Sequence, residues 1–112
     1  MSDQWTIEYY NDEQFEKWFR KLNKQGKFEA IYEEIKLLSK CGNDLTMPHS
    51  KNLGEKLYEL RESYYGIRIY YTFRKGKIIL LLNGGDKSSQ TEDIKKARKL
   101  IRNLDWRRVG ND

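Results

Sequence analysis

Residues 67–74, IRIYYTFR, alternate so strictly that they constrain the fold more than any other stretch of the chain. Side chains on an extended strand point to opposite faces with a period of two. Ile67, Ile69, Tyr71 and Phe73 therefore share one face, and Arg68, Tyr70, Thr72 and Arg74 share the other. The first face suits a core; the second is basic and aromatic. Upstream, Leu57, Glu59 and Arg61 fall on one side of a second run, and Tyr64, Tyr65 and Gly66 supply a turn, so 57–61 and 67–74 read as antiparallel neighbours. Downstream, Arg74-Lys75-Gly76-Lys77 reverses the chain into Ile78-Ile79-Leu80-Leu81-Leu82, an unbroken apolar run expected of a central strand covered on both faces. That strand is expected to end at Asn83-Gly84-Gly85-Asp86-Lys87, where the glycines permit sharp backbone geometry and bring Lys87 to the rim of the sheet.

Elsewhere helical spacing dominates. Residues 4–10 alternate as a short first strand, and Asn11 and Asp12 offer a cap for a helix beginning just after them. Phe15, Trp18, Phe19 and Leu22 stand at i, i+3, i+4 and i+7, a stripe that suits a core far better than a base-stacking platform. After Gly26, Phe28, Ile31, Tyr32, Ile35 and Leu38 repeat the pattern, which predicts a helical hairpin joined near Asn23 to Gly26 and ended by Cys41-Gly42-Asn43. Residues 42–54 hold the sole proline, Pro48, the sole histidine, His49, and Lys51, and read as an exposed loop. A capping box, Ser89 to Glu92, opens a last helix with Ile94, Ala97, Ile101 and Leu104 on one face and Lys95, Lys96, Arg98, Lys99 and Arg102 on the other. The order strand, two helices, three strands, helix is that of a single α+β domain with a small, mainly antiparallel sheet.

At 112 residues, with 38% apolar and 13% aromatic side chains, the chain can bury a modest core without metals or disulfides. No apolar run approaches the roughly 20 residues of a membrane span and no signal-peptide pattern opens the chain, so a cytoplasmic protein is expected. Cys41 stands alone and suggests neither a disulfide nor a metal site. The net charge of +5 is unevenly placed. Residues 1–60 carry nine Lys/Arg against eleven Asp/Glu, a balance of −2, whereas residues 61–112 carry thirteen against six, a balance of +7. Such asymmetry points to a polyanion or an acidic protein partner, although a solvated helix face would account for part of it.

YELR at 58–61, GIRIYY at 66–71, ILLLNGGDKSSQ at 79–90 and TEDIKKA at 91–97 together resemble the RelE/HigB-type toxins of bacterial toxin–antitoxin modules, above all the addiction-module killer and phage-derived HigB-like branch. The resemblance implies a RelE/ParE-like fold and a toxin that cuts mRNA on the translating ribosome. It further implies silencing by a cognate antitoxin, here a HigA-like helix-turn-helix protein in a hetero-oligomer. It places Arg61, Arg68 and Lys87 on the active face. The chain departs from the RelE pattern in having Ser88 after Lys87 and no tyrosine in its last residues.

Metal-free RNA cleavage must remove the 2′-OH proton, stabilise charge on phosphorus and protonate the leaving 5′ oxygen. Arg61 and Arg68 suit the second task, because a guanidinium stays charged and matches phosphate oxygens with a planar fork. The alternative for Arg61 is an ion pair with Glu59 or Glu62. Lys87, with Lys51 behind it, and His49 are candidates for proton transfer. Tyr65 and Tyr70 could stack on an unpaired base, and Lys51 and Arg74 could hold backbone phosphates. No metal-ligand set, Walker loop or dinucleotide fingerprint is present, and no cofactor is expected. Two further readings stay open: a ParE-like toxin that binds DNA gyrase without cutting RNA, and an RNA-binding domain without catalysis.

Overall fold

The structure, a computed structural model, describes residues 4–110, with side chains through Leu104. The first strand, β1 (Thr6–Tyr9), is followed by α1 (Glu13–Lys24) and α2 (Phe28–Cys41). Four strands come next, β2 (Ser50–Gly54), β3 (Leu57–Glu62), β4 (Ile67–Arg74) and β5 (Ile78–Asp86), and then α3 (Gln90–Gly110). They form one five-stranded sheet in the order β1-β5-β4-β3-β2. Only β1 runs parallel to its neighbour, β5; every other pairing is antiparallel.

The expected faces are the observed ones. Ile67, Ile69 and Tyr71 pack with Ile79 and Leu81 beneath the helical hairpin, against Phe15, Leu22, Ile31, Ile35 and Leu38. Leu57, Tyr70, Leu80 and Leu82 face α3 through Ala97 and Ile101. Both faces of β5 are thus covered, which is why its sequence is continuously apolar. Each fully buried Ile or Leu of these clusters contributes about 1.5–3 kcal/mol of burial. Asp12 caps α1 as expected, its Oδ1 accepting from the Gln14 amide at 2.8 Å.

Three local expectations need correcting. Residues 50–54 are not loop but the edge strand β2, with Ser50 opposite Leu60 and Lys51 opposite Glu59. SKNLG holds one apolar residue, so no alternation betrays it, and edge strands are commonly this polar. Gly84 and Gly85 do not turn the chain; β5 continues through them to Asp86. A β-bulge beside Tyr70 lets Tyr71 pair with Leu81 and Tyr70 with Asn83, after which Gly85 lies opposite Arg68. The capping box lies three residues earlier than expected: Asp86 accepts from the Ser88 and Ser89 amides, and Ser89 Oγ accepts from the Asp86 amide at 3.2 Å. It caps a short 3-10 turn (Lys87–Ser89) that leads into α3. Among the described residues no helix is long and apolar enough to cross a membrane.

Candidate active face

The candidate site lies where β2 begins, β3 ends, β4 begins and β5 ends, on the α3 side. Strand register sets two cross-strand rows there. Lys51, Glu59, Tyr70 and Asn83 form one; Arg61, Arg68 and Gly85 form the next. Directly paired residues project to the same face, so this register, invisible in any single segment, assembles the cluster.

Glu59 is its centre. The side chain has no exposed surface, yet it faces two cations: Arg61 Nε lies 3.2 Å from Oε1 and Arg68 Nε 3.4 Å from Oε2. Oε2 also accepts from Gln90 Nε2 at 2.7 Å and from the Tyr70 hydroxyl at 3.2 Å. The arginine contacts are ionic without hydrogen-bond geometry, and Glu59 Oε1 and Arg68 Nε are buried without a hydrogen-bond partner. Arg68 is further tied by Nη1, which donates to the Gly66 carbonyl at 3.1 Å. Its side chain is 10% exposed and that of Arg61 27%, so Arg61 presents the more accessible guanidinium and Arg68 an edge. The ion pair considered for Arg61 exists, but its partner is fully buried rather than a surface carboxylate.

Tyr70 cannot stack on a base. Its ring is fully buried under α3, and burial first, then the Glu59 charge, push its phenol above the ordinary value of 10.0. It acts as a neutral donor that helps fix Glu59. Arg74 lies six residues along β4 from Arg68, about 20 Å at strand rise, and lines a separate cavity with Glu8, Tyr10 and Leu104. It does not join the cluster. The backbone carbonyl of His49 bonds to the Arg61 amide at 2.8 Å, whereas its imidazole Nδ1 lies 2.9 Å from Glu34 Oε1 on α2. A carboxylate only accepts, so Nδ1 is the donor of this contact, and Nε2 is the ring nitrogen left without a part in it. Lys51 is exposed beside Glu59, and Lys87 is exposed where the 3-10 turn leaves β5, at the same end of the sheet as Arg68. Tyr65 sits in the β3–β4 turn, 42% exposed. No group of three or more His, Cys, Asp or Glu that could hold a metal ion occurs among the described residues.

Residues missed as site members are Glu59 and Gln90. Glu59 left only a partial signal, an acid on the strand face that also carries Leu57 and Arg61; its burial beside the cations follows from the pairing with Tyr70. Gln90 left none, because only the packing of α3 on the sheet brings its amide to Glu59.

Residues 17–104 match the family described as Phage derived protein Gp49-like (DUF891). The chain belongs to that family. An uncharacterized protein of Haemophilus influenzae is 34% identical to this Gp49-like chain over 100 residues, covering 88% of this chain and 97% of that protein. Among solved structures, a double-arginine mutant of the E. coli toxin RelE in the free state superposes with a TM-score of 0.67 at 17% identity, covering 88% of this chain and 98% of that one. The crystal structure of the isolated E. coli RelE toxin in a P21 form gives 0.51 at 18% identity, covering 82% and 97%. The Gp49-like chain therefore has the fold of RelE, as its sequence motifs led one to expect.

Proposed function

We propose that this Gp49-like chain is a single-domain toxin of a type II toxin–antitoxin module and a metal-independent endoribonuclease acting on mRNA at the ribosome. The observation that carries the reading is the pair of guanidiniums, Arg61 and Arg68, held by one buried carboxylate at the open end of the sheet. An anchored cation pair that needs no reorganisation is what a phosphorane demands, because charge develops on its oxygens only in the transition state. The RelE fold and the Gp49-like family support the same conclusion.

In this proposal Arg61 binds the scissile phosphate and Arg68 stabilises its developing charge through its exposed edge. Glu59, Tyr70 and Gln90 position the two guanidiniums. The RNA 2′ oxygen attacks phosphorus and the bond to the 5′ oxygen breaks, leaving a cyclic phosphate and a free 5′ hydroxyl. Lys51, exposed on the strand beside Glu59, and Lys87, exposed in the turn after β5, are the candidates for moving protons; His49 contributes through Nε2 only if RNA reaches past the strand edge. The partner is an antitoxin of the HigA-like helix-turn-helix kind, in a hetero-oligomer.

Inducing the chain in bacteria and mapping new RNA 5′ ends within minutes tests the proposal. Cuts inside coding sequence that disappear with Arg61→Ala and fall at least tenfold with Lys87→Ala are expected. Growth arrest with intact messages would overturn it and direct attention to a protein target such as gyrase.

A further inference from the structure

Tyr64, three residues beyond Arg61, is 84% exposed, the most open large ring among the described residues. Its backbone is nevertheless fixed. The buried carboxylate of Glu62, 5% exposed, accepts from the amides of Tyr64 at 2.7 Å, Tyr65 at 3.1 Å and Ile67 at 3.3 Å. Three amide donors on one carboxylate make a rigid turn, and Arg68 Nη1 on the Gly66 carbonyl locks that turn to the cation pair.

The rings of this turn are ordered as well. Lys27, from the α1–α2 linker, places Nζ 5.4 Å from the centroid of the Tyr65 ring. Tyr65 in turn meets Tyr64 edge-on, centroids 4.7 Å apart and planes at 88°. Tyr65 thus contacts both Lys27 and Tyr64, whereas Tyr64, touching Tyr65, keeps most of its ring in solvent. A braced, exposed aromatic on a turn that Arg68 ties to the cation pair suits a planar base attached to a phosphate.

We propose that Tyr64, buttressed by Tyr65, is a stacking platform for one unpaired base of a single-stranded RNA whose backbone crosses Arg61. The inference rests on the RNA-cleavage reading and adds the residue that grips the neighbouring nucleotide. Stacking tolerates any base, so Tyr64 contributes affinity and placement rather than a sequence code. An aromatic ring there is essential and its hydroxyl is not.

An NMR titration of the full chain with a short 2′-O-methyl oligoribonucleotide, which cannot be cut, tests this. Upfield shifts of the Tyr64 ring protons are expected, together with perturbed Arg61 side-chain N–H resonances. Tyr64→Ala is expected to weaken binding roughly five- to hundredfold and Tyr64→Phe to restore it. The variant should fold normally, since the amide that Glu62 holds is kept; equal melting temperatures check this. Perturbation of Arg61 without Tyr64, or unchanged affinity in Tyr64→Ala, would overturn the platform while leaving RNA binding intact, and would assign the ring to a protein surface. No perturbation of either residue at millimolar oligonucleotide would overturn the platform and count against the RNA reading as well.

Discussion

Glu59 lies fully buried between two guanidiniums, a phenol and a carboxamide. Taking a carboxylate out of water is costly, and these neighbours together offset that cost, the two cations most of all. Glu59→Ala leaves two largely buried cations facing each other across the β3–β4 ladder. It should lower stability by about 3 kcal/mol or more, read by urea denaturation, because breaking a buried pair strands the remaining charge. RNA cleavage should be lost as well, since the guanidiniums would no longer be held. Tyr70→Phe provides the contrast: it removes one donor to Glu59 and should cost about 1 kcal/mol while the ion pairs survive.

At the scale of the element, the junction between β5 and α3 decides the geometry of the site. Gly84 and Gly85 sit in strand conformation, and each is required by what lies above it. A Cβ on Gly84 would collide with the Trp18 ring of α1, and one on Gly85 with the Asp93 carboxylate and Ser89 Oγ of the α3 entry. Gly85 is also the partner of Arg68 in the ladder. Gly85→Ala should therefore lift the start of α3, pull Gln90 from Glu59 and cost about 1–3 kcal/mol, the range for overpacking. A fall in denaturation midpoint with a matching loss of cleavage would show it; a neutral variant would mean the α3 entry adapts. On the far side of α3, Arg98 holds the β2–β3 turn through the Leu53 carbonyl at 2.9 Å and the Gly54 carbonyl at 3.3 Å. The same helix thus fixes both ends of the strand pair that carries Lys51, Glu59 and Arg61.

For the molecule as a whole, two tyrosines at the centre of the sheet tie stability to alkaline pH. Burial is the main cause that raises both phenols, Tyr71 up to about 12, and Tyr70 also feels the Glu59 charge. An acid whose pKa is higher folded than unfolded contributes full stability below the unfolded value, here 10.0, and loses it as pH rises toward the folded value. Unfolding free energy should be flat in this respect up to about pH 9. It should then fall by as much as about 1.4 kcal/mol per pH unit for each tyrosine between roughly pH 10 and 12. Tyr71→Phe should shallow that decline, measured by urea denaturation across the range; an unchanged slope would exclude Tyr71 as its source.

Sequence alone determined the elements and their faces wherever a periodic pattern met a buried surface. The alternation of 67–74, the apolar run 78–82 and the two helical stripes could satisfy their side chains in one way only, and the motifs they carry named the fold. That Arg61 and Arg68 share a sheet face was legible because cations on a strand are conspicuous, whereas Lys87 lies beyond the strand in the 3-10 turn. The polar edge strand β2, the continuation of β5 through two glycines and the burial of Tyr70 were decided by tertiary structure, since each depends on a neighbour remote in sequence. So was the centre of the candidate site: Glu59 lies 9 residues from Arg68 and 31 from Gln90, and only strand register and the docking of α3 turn five separate side chains into one electrostatic unit.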